Sequence, residues 1–175
     1  MRRSHSTPTP PQKAPSTALA NQLSGDKTFP THLYEVLVLC NNCNDHTVEL
    51  CKLFQELNPG FPFYIHVTNN PAINNVGAAR RVLMDLASER LTDTGLIIMT
   101  DADTIADKNW LDSFLKFQTE PVDLICGQII PDTKGLNADA KNYIKNDHPV
   151  QKTIFEQIQR YTGLDQLSTG IDGCS

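Results

Sequence analysis

GLIIMTDADT, residues 95–104, joins an apolar run to two carboxylates, and the reading of the whole chain turns on it. Leu96-Ile97-Ile98-Met99 is too short for a free-standing helix and shows no polar alternation, which predicts a strand buried on both faces. Such a strand belongs in the middle of a parallel sheet, where ligands lie outside the carboxyl ends of the strands, so Asp101 and Asp103 stand where a substrate or metal is held. Alternation along an extended backbone puts both carboxylates on one side and Ala102 on the other. Two converging carboxylates suit a divalent cation that takes its remaining ligands from phosphate and water. The same residue types also build turns, since Asp caps helices and tolerates unusual dihedrals, and on this stretch alone the two readings stand side by side.

Outward from this stretch the chain alternates between strand and helix signals. Tyr34 to Cys40 is an apolar, β-branched run that stops at Asn41-Asn42, which is strand followed by turn chemistry. Asp45 opens a helix through Leu57, with Val48, Leu50, Cys51, Leu53, Phe54 and Leu57 at helical spacing. Phe63 to Val67 reads as the next strand, Asn69-Asn70-Pro71 breaks it, and a second helix runs from Val76 to Leu91. Beyond the carboxylates, Asp107 caps a helix over Asn109–Phe117, and Val122 to Ile130 reads as a further strand. A helix over Val150–Tyr161 follows a polar loop. The alternation predicts an α/β fold, a parallel sheet covered by helices.

The first 30 residues hold the densest turn and disorder formers, with four prolines before Ser16. They are expected to be a flexible tail, apart from a short helix over Ser16–Gln22, with the ordered part beginning near Leu33. The length fits one domain, and 39% hydrophobic residues suffice for a core. A net charge of −5 gives no overall basic field of the kind that attracts nucleic acid. Apolar runs are only strand length, so no transmembrane segment is expected, and without a signal-peptide block the expected address is cytoplasmic. Five cysteines, an odd number, favour free thiols over a disulfide framework.

Three pieces in this order resemble family 2 nucleotide-sugar glycosyltransferases of the GT-A fold. LCNNCNDHT, residues 39–47, is similar to the family's strand ending in Asp followed by a Gly/Asn-Ser-x-Asp-x-Thr turn. NVGAARR, residues 75–81, is similar to the Asn-x-Gly-x-x-x-Ala-Arg segment that opens the helix before the metal strand. TDADT, with Trp110 downstream and Cys126-Gly127 beyond, resembles the family's DxD region and its continuation. The resemblance implies a Rossmann-like, mostly parallel sheet with helices on both faces, a nucleotide-sugar donor and a Mn²⁺ or Mg²⁺ ion. Asp103 would be the metal ligand, and Asp101 would reach the ribose or share the metal. Cys40, Asn41, Asn42 and Asp45 fall in the base-binding turn, and Gly77 lets the helix start approach the nucleotide. Arg80 or Arg81 would pair with a phosphate, unless one turns to solvent or to a neighbouring acid.

The departures from the family pattern also carry expectations. Cys40 stands where the family places a base-binding Asp, so no base is named. The proline-rich segment takes the place of the first strand. LSTGIDGCS, residues 167–175, resembles the acceptor loop, after which an acidic general base is expected. Asp165 and Asp172 do not fit that pattern. The expectation is therefore a partial domain over residues 33–175, truncated at both ends, whose ancestral role is sugar transfer from a nucleotide-sugar donor, with two outcomes open: a working transferase or a nucleotide-binding remnant. Two other readings compete. Cys40, Cys43, His46 and Cys51 have ligand types suited to zinc, although Cys40 ends a buried strand and Cys51 lies on a core face. An apolar strand ending in Asp-x-Asp also opens aspartate-nucleophile phosphatases, with Asp101 attacking phosphorus; there the strand comes first, whereas here two βα units precede it.

Overall fold

A computed structural model describes residues 15–118, 124–125, 127, 129–130, 132–142 and 167–168. The chain divides into two compact units, Met1–Gln118 and Thr119–Ser175.

In the first unit the elements are α1 (Pro15–Ala20), β1 (Leu23–Ser24), β2 (Lys27–Thr28), β3 (Val36–Asn41), α2 (Thr47–Leu57), β4 (Phe63–Thr68), α3 (Val76–Arg90) and α4 (Trp110–Leu115). β3 and β4 pair in parallel from Val36↔Phe63 to Asn41↔Thr68. Parallel neighbours need a crossover, and α2 supplies it. Phe54 of α2 packs edge-on against Phe63 of β4 at 5.0 Å between ring centroids, and Phe61 stacks on Phe63. Helices and a parallel strand pair make this an α/β arrangement, as the alternating pattern anticipated.

The short helix expected over Ser16–Gln22 is present as α1, and the residues after it, expected as tail and its margin, are built into the fold. β1 and β2 form a hairpin, Phe29 is buried, and its ring meets Tyr34 edge-on at 5.6 Å. The Tyr34 hydroxyl donates to the Leu19 carbonyl at 3.0 Å. The prolines cluster before Ser16, whereas Leu19, Leu23 and Phe29 supply apolar surface worth burying, so composition averaged over 30 residues hides the change.

The apolar run of GLIIMTDADT also departs from expectation. Leu96 to Met99 pairs with no strand among the described residues, and Leu96, Ile97 and Met99 are 40, 38 and 47% exposed. With Val36, Leu37, Leu83 and Phe114, this run lines a cavity of about 610 Å³. Apolar composition selects for burial, not for pairing; pairing also needs a free edge within hydrogen-bonding distance, which periodicity does not report.

Gly95 is required by contact. A Cβ there would stand 2.4 Å from Leu91 Cδ1 and 2.7 Å from Leu91 Cγ. Gly95→Ala is expected to destabilise the protein by about 1–3 kcal/mol through overpacking, and the Leu91→Ala background to return most of that loss. Urea denaturation of the single and double variants checks this.

In the second unit, β5 (Leu124–Ile125) pairs in parallel with β6 (Leu167–Ser168). Among the described residues of the expected 122–130 strand, Leu124 and Ile125 form strand, and the expected helix over 150–161 lies outside the described residues.

Candidate functional site

The carboxyl ends of β3 and β4 are laced together by asparagine. Asn42 takes a left-handed backbone at φ 52°, a conformation Asn tolerates better than most residues. Its amide donates to the Thr68 carbonyl at 2.9 Å, extending the ladder one step past the last paired residues. The Asn41 side-chain amide donates to the Ile73 carbonyl at 2.7 Å, and that of Asn42 to the Asn70 carbonyl at 3.2 Å. The Asn70 side-chain oxygen accepts from the Ala72 amide at 3.0 Å. Asn41 Oδ1 is buried without a partner.

That asparagine loop runs directly into α3. Asn75 caps the helix, its side-chain oxygen accepting from the Ala78 amide at 2.8 Å. A Cβ on Gly77 would stand 3.2 Å from that capping oxygen, so the glycine keeps the helix start both open and capped. Asn70, Ile73 and Asn75 were not singled out from sequence as site residues. Asn75 had a readable signal, an Asn three residues before the first helical alanine.

Arg80, in the second turn of α3, reaches Asp101 with Nη2 2.5 Å from Oδ1. This contact brings the helix start and the acidic stretch together. Asp101 does not end a strand: the Thr104 amide donates to its carbonyl at 3.1 Å, closing a turn over Asp101–Thr104. The two carboxylates therefore sit on a turn, and strand alternation does not set their directions. Asp103 is exposed. Among the described residues no three His, Cys, Asp or Glu side chains converge to hold a metal ion. Arg81 points to solvent, 3.9 Å from Asp85. Both arginines face a neighbouring acid, Arg80 closely and Arg81 loosely at the helix surface.

Asp45 is occupied locally. Its carboxylate accepts from the Thr47 amide at 3.0 Å as α2 begins, and Thr47 holds the carboxyl below its ordinary range. Cys40 is buried, with its sulfur 4.0 Å from that of Cys51 on α2, so its side chain belongs to the core. The zinc reading finds no convergent ligand set among the described residues. Burial first, and Cys51 beside it second, push the Cys40 thiol up to about 11 from 9.0. The fold thus favours the neutral thiol. Its contribution to stability is full below the ordinary value and is lost as pH rises through about 11. At pH 8 Cys40 is expected to resist iodoacetamide in the folded protein and to react once the chain is unfolded, as peptide mass spectrometry would show.

Residues 17–175 match the family model for Glycosyl transferase family 2. The chain belongs to glycosyl transferase family 2. Membership makes the protein glycosyltransferase-like and places the Asp101–Thr104 turn, the α3 start and the asparagine loops inside the family region. That region also takes in most of α1, where a short helix was expected, and β1 and β2, which fall in the stretch expected as tail. No curated protein and no solved structure matches this family 2 chain. Among its described residues no helix is long and apolar enough to cross a membrane.

Proposed function

We propose that the chain binds a nucleotide-activated sugar outside the carboxyl ends of β3 and β4, within a GT-A type sheet, and takes a divalent cation at Asp103 and Asp101. The observation that carries this reading is the Arg80–Asp101 contact. It ties Asp101, the first acid of the motif, to the first half of α3, the helix that follows the asparagine loops. Ligands of open α/β sheets lie at such strand ends.

Each group has a task that follows from its chemistry. The first amides of α3, at Val76 and Gly77, have no intrahelical acceptor and suit a phosphate, and the absent side chain at Gly77 leaves room for it. Asn41 and Asn42 hold the loop over the strand ends through the Ile73 and Asn70 carbonyls, and it is this loop that would form the wall against which a base lies. Arg80 pairs with a phosphate oxygen. The donor set fits a hard cation, because Asp101 and Asp103 offer oxygen only and phosphate completes the shell. When bound, the ion neutralises charge on the departing diphosphate. Among the described residues no carboxylate is assigned as general base, so transfer itself depends on groups outside this set.

The test is a thermal-shift series with UDP, GDP and ADP, each with and without Mn²⁺, followed by an assay for released free sugar from the corresponding nucleotide sugars. A shift with one base supports donor binding, and sugar release supports transfer. A shift without release leaves a nucleotide-binding protein, and no shift with any base overturns the reading.

A further inference from the structure

We propose that Arg80 is a latch on Asp101, so that the chain takes its cation well only when a diphosphate draws Arg80 away. This rests on the donor-site reading above and deepens it by assigning how the site is regulated.

The two side chains are 2.5 Å apart and 48 and 53% exposed, on elements separated by 21 residues. Asp101 has only two carboxylate oxygens, and the one in contact with Arg80 is Oδ1. A cation approaching Asp101 meets a guanidinium at that oxygen, so ion binding must break or distort the pair against like-charge repulsion. Asp103 carries no ion pair among the described residues and remains a weak, single-carboxylate site on its own. A diphosphate reverses the balance. Arg prefers a phosphate that it can meet with two parallel N–H bonds, and the α3 amides lie on the same helix as Arg80. Moving Arg80 onto a phosphate oxygen frees Asp101 while the phosphate brings further oxygens for the ion. Cation and diphosphate are then coupled twice, through their direct contact and through the exchange of Arg80.

Direct contact needs nucleotide present; the latch acts without it. The deciding measurement is therefore Mn²⁺ binding in the absence of nucleotide, followed by electron paramagnetic resonance of the free ion. Arg80→Gln is expected to bind Mn²⁺ about two- to fivefold more tightly than the natural protein, the worth of an exposed ion pair. That gain should shrink as salt is raised and disappear in Arg80→Gln combined with Asp101→Asn. With UDP, GDP or ADP the order reverses, because the variant has lost a phosphate partner. Equal or weaker Mn²⁺ binding by Arg80→Gln without nucleotide overturns the latch while leaving the donor site standing. Absence of Mn²⁺ binding by either protein, with and without each nucleotide, overturns the latch and removes the cation from this turn, while the donor site itself falls only if no nucleotide shifts the melting point.

Discussion

Asp103→Ala is expected to abolish the stabilisation that Mn²⁺ and a nucleoside diphosphate give the natural protein. With ligand at about ten times its Kd, the native state gains about 1.4 kcal/mol and a chain of this size melts about 3–6 °C higher. Asp103 is exposed and engages in no ion pair among the described residues. Its removal should therefore leave the ligand-free melting point within about 1 °C, as surface substitutions usually do. The unliganded baseline is what makes the variant informative: a lost shift on an unchanged baseline is a lost ligand, not a lost fold. Asp101→Ala is a poorer choice, since it also releases Arg80. Calorimetry or dye-based melting across Mn²⁺ concentrations checks the result. An undiminished Mn²⁺-dependent shift in Asp103→Ala would remove the cation from this turn. A shift that needs the nucleotide but not the metal would keep the strand-end site and discard the metal.

What the sequence disclosed depended on whether a signal was local. The α2 and α3 helices and the β3 and β4 strands were legible, because periodicity, caps and breakers such as Asn58-Pro59-Gly60 are all within a few residues of what they govern. Leu96 to Met99 was misread as a buried strand because burial and pairing are separate requirements, and only apolarity is written in the run. The short helix at α1 was expected, but the β1–β2 hairpin was missed because Pro8, Pro10, Pro11 and Pro15 dominated the composition while the residue that ties the segment down, Gln22, is polar. At the site, Asp101 and Arg80 were both named, but their contact spans 21 residues and no local pattern announces it. The Asn41, Asn42 and Asn70 network was invisible for the same reason: which carbonyl each amide reaches depends on β3 and β4 lying side by side. Cys40 was placed in the donor turn by resemblance, yet strand alternation sends its sulfur toward α2.

Gln22→Leu is expected to destabilise the protein by about 3 kcal/mol, the largest loss of stability foreseen for a single side chain here. Gln22 is 0% exposed. Its amide nitrogen donates to the Asp107 carbonyl at 2.7 Å and the Ala18 carbonyl at 3.1 Å, and its oxygen accepts from the buried Leu111 amide at 2.9 Å. Two flanking bonds follow the same line: the Leu23 amide donates to the Lys108 carbonyl at 2.6 Å, and the Ser24 hydroxyl to an Asp112 carboxylate oxygen at 2.7 Å. The residue thus caps the start of α4 from a segment 85 residues earlier in the chain. Leucine fills similar space but leaves the buried Leu111 amide without its acceptor, at about 1–3 kcal/mol, and takes one donor from the Asp107 carbonyl, which keeps the Trp110 amide. Gln22→Glu separates hydrogen bonding from packing. At neutral pH its carboxylate still accepts from Leu111 but faces the Ala18 and Asp107 carbonyls, so it should be about as damaging as leucine. Protonation restores a donor toward one carbonyl, so its deficit relative to the natural protein should narrow in acid while that of the leucine variant does not. Urea unfolding of the three proteins at two pH values measures both effects. A Gln22→Leu variant as stable as the natural chain would mean that the segment from α1 to β2 rests on the fold without holding it, and that α4 caps itself.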